Sequence, residues 1–239
     1  DFIGEVIATT RAIDNMLMVV CGVAGVEVQT EVIWDIAQGN KMPRIIFINK
    51  LERENSCFET VVEQMREKYG TGIVPLQLPM GKEADFVGMI DLLNEKAYKF
   101  ENGKSVEIPI PEEYMEEYEA NRTYLIEVAA ESCDELLLKY LEGEVPTNKE
   151  ILSALRMGIA NGEIFPVVGG SVAKNMGIDI LMDICVDLLP IPTVNAAAPA
   201  SAIVFKTLAD PFVGKLSFIK VIDGQFNAGD GIYNVSNDI

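Results

Sequence analysis

The chain has 239 residues, 49% of them hydrophobic, and a formal net charge of −18. That apolar content suits one large domain or two smaller ones, and no apolar stretch reaches the ~18 residues that a bilayer-spanning helix needs. The acidic balance argues against a direct grip on nucleic acid, the scattered Cys21, Cys57, Cys133 and Cys185 lack metal-ligand spacing, and the lack of histidine excludes histidine-based catalysis within these residues.

In chain order, residues 2–14 carry Phe2, Ile3, Val6, Ile7 and Ile13 at helical spacing, and residues 15–22 read as a buried strand. Residues 27–40 predict a helix closed by Gly39, and the apolar run in residues 44–49 predicts a strand buried on both faces. Residues 56–69 predict a helix opened by a Ser56/Glu59 capping box and stopped by Gly70. This alternation of strand and helix implies a parallel sheet covered by helices.

From Thr71 the rhythm changes. Short stretches (IVPLQLP, MIDLL, KAYKF, SVEIP) read as strands separated by turns, and acidic helices are expected at about residues 111–142 and 147–161. Strands followed by helices suggest a separate α+β unit. The first rhythm then resumes with EIFPVVGGS as a buried strand and loop, and GIDILMDICVDLL as an amphipathic helix. A small Pro-bearing linker, IPTVNAAAPA, leads into period-two alternation with turns at DPFVG, DGQ and AGDG, the signal of an antiparallel barrel or sandwich left unfinished. The expected organisation is an α/β core at 1–70 and 162–194, an inserted subdomain at 71–161, and the start of a β-barrel at 195–239.

In open parallel sheets, ligands bind at the carboxyl edge of the strands. There stands Asn49-Lys50-Leu51-Glu52, the position of the Asn-Lys-x-acid loop by which GTPases read guanine, with glutamate where aspartate is usual. A second loop, Ser171-Val172, ends a neighbouring strand and meets the first only if the intervening residues are an insertion. GGS in that loop also reads as a flexible turn capped by Ser171. A phosphate loop of the form G-x-x-x-x-G-K-[ST] is absent; the nearest approach, YKFENGKS, reads as a hairpin turn at Asn102-Gly103.

The chain resembles translation elongation factor G, a family of ribosome-dependent GTPases. The likeness runs through AGVEVQTEVIWDIA, PRIIFINKLER, PLQLPMGKEADFVGMIDLL, KYLEGE, GGSVAKNMGIDILMDICVDLLPIP and FKTLADPFVGKLSFIKVIDGQFNAGD. It implies a P-loop GTPase core, incomplete at its amino-terminal side, an insert, and the first strands of a second-domain barrel. With Asp1 in place of an initiating methionine, the segment is expected to begin after the phosphate loop, the switches and the catalytic histidine.

By position, the resemblance implies that Asn49 braces the two loops and the Lys50 stem lies along the base. Glu52 would accept the N1 and N2 protons of guanine, Ser171 would support its loop, and the Val172 N–H would reach O6. GTP or GDP with Mg2+ would bind in the parent protein and not in this segment alone, which would be inactive. The expected partners are the ribosome, including its stalk proteins, in a cytoplasmic setting without membrane contact. The acidic run with Glu112, Glu113, Glu116, Glu117 and Glu119 reads either as a solvated helix face or as a docking surface for a basic partner. A paralogue that keeps the fold as a non-hydrolysing ribosome-binding module is the alternative function.

Overall fold

The computed structural model describes residues 3–235, so the predicted helix start at Phe2 and the chain end after Val235 lie outside it. Two compact units are present: Asn15–Pro190, and the residues up to Asp14 together with those from Ile191.

The larger unit is built on a parallel sheet. Its strands are β1 (Met16–Cys21), β2 (Arg44–Asn49), β3 (Ile73–Pro75) and β8 (Phe165–Gly169), in the order β1-β2-β8-β3. Strand β2 has the predicted bounds, and Ile45, Ile46, Phe47 and Ile48 are all buried, as a continuous apolar run in a covered parallel sheet should be. β1 is an edge strand with alternating burial, so Leu17 and Val19 are exposed. Helices α2 (Val28–Gly39), α3 (Phe58–Tyr69) and α7 (Ile178–Leu188) complete the α/β core. At the amino end of β2 the Arg44 guanidinium is 1% exposed. It lies 3.9 Å from the Trp34 ring centre and 4.3 Å from that of Phe165.

A second, antiparallel sheet has the order β4-β5-β6-β7, from β4 (Gln77–Met80), β5 (Gly88–Asp91), β6 (Lys96–Glu101) and β7 (Lys104–Ile108). The stretch IVPLQLP is therefore two strands, not one. Ile73–Pro75 pairs in parallel with β8, the Leu76 N–H donates to Val167 O at 2.9 Å, and the chain then crosses into the other sheet. The turn at Asn102-Gly103 has φ of 52° and 73°, the left-handed pair that a two-residue hairpin demands.

Helices α4 (Met115–Glu131), α5 (Asp134–Leu141) and α6 (Asn148–Asn161) follow. The single helix expected over 111–142 is broken at Cys133, whose extended backbone caps α5, while Asp134 and Glu135 fall in the new first turn where the helix dipole favours them. Ile45, Phe47 and Val168 of the parallel sheet share one apolar cluster with Ile90 and Ala97 of the antiparallel sheet and Leu125 and Ile151 of the helices. Residues 71–161 thus share an apolar core with the parallel sheet inside one compact unit. No described helix is long and apolar enough to cross a membrane.

The smaller unit holds α1 (Ile3–Thr10) and an antiparallel ribbon of β9 (Ser201–Asp210) and β10 (Gly214–Asp223). Helix α1 stops at Thr10, short of the expected residue 14, where Thr9 and Thr10 turn their hydroxyls back onto Glu5 O and Ile7 O. Chain order counts α1 with the parallel sheet, whereas its contacts group it with the ribbon, through the Lys206–Glu5 ion pair at 2.8 Å among others.

Candidate functional site

The carboxyl ends of β2 and β8 are neighbours in register, with Ile48 opposite Gly169. Each strand then turns sharply into a loop. On the β2 side Lys50 adopts φ 69°, an uncommon conformation for a residue with a side chain. On the β8 side Ser171 and Met176 exchange backbone hydrogen bonds at 3.0 and 2.9 Å, closing a tight loop.

One side chain fastens the two loops. The Asn49 Oδ1 accepts the Lys50 N–H at 2.8 Å and the Val172 N–H at 3.0 Å. The backbone adds a second link, from Leu51 N–H to Gly170 O at 3.3 Å. The Ser171 side chain is wholly buried and its Oγ accepts the Lys174 N–H at 3.1 Å, so it shapes the loop from within. A Cβ on Gly170 would stand 2.5 Å from Met176 O and 3.1 Å from the Phe47 ring. The double glycine therefore answers to close packing, not to flexibility.

The structure brings Asn49, Lys50, Ser171 and Val172 into one hydrogen-bonded arrangement. Glu52 sits in the first loop, and its Oε2 is buried with no hydrogen-bond partner among the described residues. The Val172 N–H, expected to face a ligand, is engaged by Asn49. The next donor, Ala173 N–H, makes no hydrogen bond among the described residues. Burial pushes the neighbouring Cys21 thiol up, but the Ala24 and Val23 N–H groups and the Lys50 charge outweigh it and hold the thiol below its ordinary range.

Sequence reasoning missed two contributors. Ser56 does not cap α3, whose N-cap is Cys57; its hydroxyl donates to Leu51 O at 2.8 Å and closes the first loop. Motif position points to the Val172 N–H, and residue type does not mark the neighbouring Ala173. Chemically the arrangement offers a rigid bridge between two loops, a backbone N–H at Ala173 without a partner among the described residues, and a carboxylate in the first loop.

Known proteins resemble this chain over most of its length. The model for the elongation factor Tu GTP binding domain matches residues 1–191. Elongation factor G of Mycoplasma pneumoniae is 37% identical over 256 residues, an alignment covering 98% of this chain and 37% of that protein. A crystal structure of a protein from Thermus thermophilus aligns with a TM-score of 0.85 at 32% identity, over 96% of this chain and 34% of that one. The chain thus spans well under half the length of the relatives it matches. With its parallel core, its paired loops at the carboxyl edge and a family match over most of its length, the chain belongs to the elongation factor Tu GTP-binding domain family and is similar to elongation factor G.

Proposed function

We propose that this chain supplies the base-reading half of the nucleotide site in an elongation factor G-like GTPase. In this reading Asn49 braces the loops, the Lys50 stem lies along the base, and Glu52 accepts the N1 and N2 protons of guanine. Ser171 supports the second loop, and the O6 carbonyl is met by the Ala173 N–H beside the Val172 N–H that Asn49 holds.

The observation that carries the reading is the Glu52 Oε2, buried and without a hydrogen-bond partner among the described residues. An unpaired buried acceptor costs free energy, and a ligand with two N–H groups on one edge would offset that cost once the Glu52 side chain turns out to meet it. Guanine presents such an edge; adenine presents an acceptor at N1 instead. Replacing Glu52 by Gln in the full-length protein tests this, because the amide can donate to the 2-oxo group of xanthine where the carboxylate accepted. GDP affinity should fall about tenfold or more while xanthosine diphosphate gains. An unchanged preference would remove Glu52 from the base and the reading with it.

The full-length protein would hydrolyse GTP on the ribosome and promote translocation, a reading supported by the family match and the elongation factor G relative. Mg2+ would neutralise charge on the phosphates there. These residues alone, which carry no phosphate loop of the form G-x-x-x-x-G-K-[ST], would not turn over GTP. The glutamates at the start of α4, among them Glu116 and Glu117, would face a basic partner such as a ribosomal stalk protein, with binding that weakens as salt rises.

A further inference from the structure

Both loops at the carboxyl edge are held from one side, by the antiparallel sheet. Just beyond β4, Glu83 Oε1 accepts the Asn55 N–H at 2.7 Å, fixing the far end of the first loop. Beyond β6, the Gly103 carbonyl accepts the Asn175 side-chain amide at 2.9 Å, fixing the far corner of the second. Next to it, Ser105 gives its N–H at 3.0 Å and its hydroxyl at 2.6 Å to Asp179, at the start of α7. β4 and β7 are the two edges of that sheet, so its four strands span from one loop to the other. Between these ends, Gln77 Oε1 accepts the Gly169 N–H at 3.3 Å and ties the sheet to β8.

The backbone at these points is unusual. Asn55, Glu83, Asn102 and Asn175 have φ of 63°, 52°, 52° and 52°. Left-handed residues with side chains cost on the order of 1 kcal/mol each and persist where their surroundings over-determine them. Four of the seven such residues among those described stand at or beside the contacts between the sheet and the loops. Val172 to Asn175 are exposed, so few packing contacts hold the tip of the second loop, and the Asn175 amide contributes correspondingly more.

We propose that the antiparallel sheet is a cross-brace for base recognition, with Glu83 and Asn175 as positioning residues that set the two guanine loops relative to each other. This rests on the guanine reading above. Selectivity for a base requires its hydrogen-bonding groups to be held to within a fraction of an ångström, since a misplaced acceptor no longer rejects an analogue. Neither residue touches the base; each acts through a loop.

The test uses the full-length protein carrying Asn175→Gly, which keeps the left-handed backbone and removes the amide, or Glu83→Ala. Glu83→Gln is the rescue, because its amide oxygen still accepts from Asn55. GDP and inosine diphosphate binding are measured by calorimetry, and thermal unfolding without nucleotide is followed in parallel. Asn175→Gly and Glu83→Ala should each weaken GDP binding about tenfold and shrink the preference for GDP over inosine diphosphate. Glu83→Gln should restore both, and unfolding should shift little. Should Asn175→Gly fail to fold, Glu83→Ala at the opposite edge carries the same comparison. Unchanged GDP preference in the folded variants, or weakening matched by a proportional loss of thermal stability, would overturn the brace. Glu52→Gln is run alongside: if it leaves guanine preference intact, the guanine reading fails and the brace with it. If it alters that preference while the brace variants do not, only the brace fails.

Discussion

The side-chain carbonyl of Asn49 accepts the backbone N–H of Val172 at 3.0 Å, joining two loops 123 residues apart in the chain. Asn49→Ala removes the acceptor for two N–H groups at once. Because both donors can turn to water, the fold should lose only about 1 kcal/mol. Nucleotide affinity should fall further, since the loops then drift apart. Chemical denaturation set beside GDP titration of the full-length protein separates the two effects.

Glu52 makes an opposed prediction. Its buried Oε2 has no partner among the described residues, so Glu52→Ala should leave the nucleotide-free protein as stable as before or more stable by about 1 kcal/mol. Guanine binding should fall about tenfold or more, for want of the charged acceptor. Thermal unfolding with and without GDP reads both. A protein destabilised without nucleotide would show that Glu52 holds its own loop together.

Arg44 is a buried cation between two rings; its terminal nitrogens donate to Trp34 O at 3.5 Å and to the Gln38 side chain, while its Nε has no partner among the described residues. Burial pulls its pKa down to about 10. A base whose folded pKa lies below its unfolded value costs stability while charged in both states, and that cost is relieved as pH rises past the folded value. Arg44→Met, which keeps the volume and drops the charge, should therefore be neutral or stabilising by about 1 kcal/mol at neutral pH. Arg44→Ala should cost about 3 kcal/mol through the cavity it leaves. Denaturation series should show wild type gaining on Arg44→Met only above about pH 10.

Helix α6 opens on a reciprocal cap. Thr147 N–H and Oγ1 donate to Glu150 Oε2 at 2.9 and 2.8 Å, and Glu150 N–H returns to Thr147 Oγ1 at 3.4 Å. The Lys139 ammonium, followed by the Thr147 N–H and hydroxyl, holds the Glu150 carboxyl down to about 2. With the folded pKa depressed, this contribution is present above the ordinary carboxylate range and is lost as pH falls toward 2. Glu150→Gln should flatten that part of the acid stability profile, and Thr147→Ala should cost about 1 kcal/mol at neutral pH.

Strand β2 and the hairpin turn at Asn102-Gly103 were legible because local chemistry dictates them: a β-branched run between Pro43 and a charged loop, and the residue pair a tight turn prefers. The Asn49 bridge was legible from motif position together with an inferred insertion. What escaped depends on closure in three dimensions. Nothing in IVPLQLP marks the crossing at Leu76, because both halves are equally apolar and the acceptor for its N–H lies on Val167. Ser56 has the residue type and spacing of a cap, yet Leu51 O lies within reach and takes its hydroxyl. Glu83 and Asn175 look like loop polar residues until the sheet delivers their partners.

The order β1-β2-β8-β3 has a consequence for how the chain acquires its shape. β8 lies between β2 and β3 but follows β3 by roughly ninety residues. During synthesis β2 and β3 emerge early and cannot pair with each other across the gap. The sheet waits for its central strand, and a contact so distant in sequence closes slowly. Until then the run Ile45–Ile48 keeps one edge unpaired, which makes it the segment most exposed to misassociation. The intervening residues would best collapse first, carrying Phe165–Gly169 to its slot.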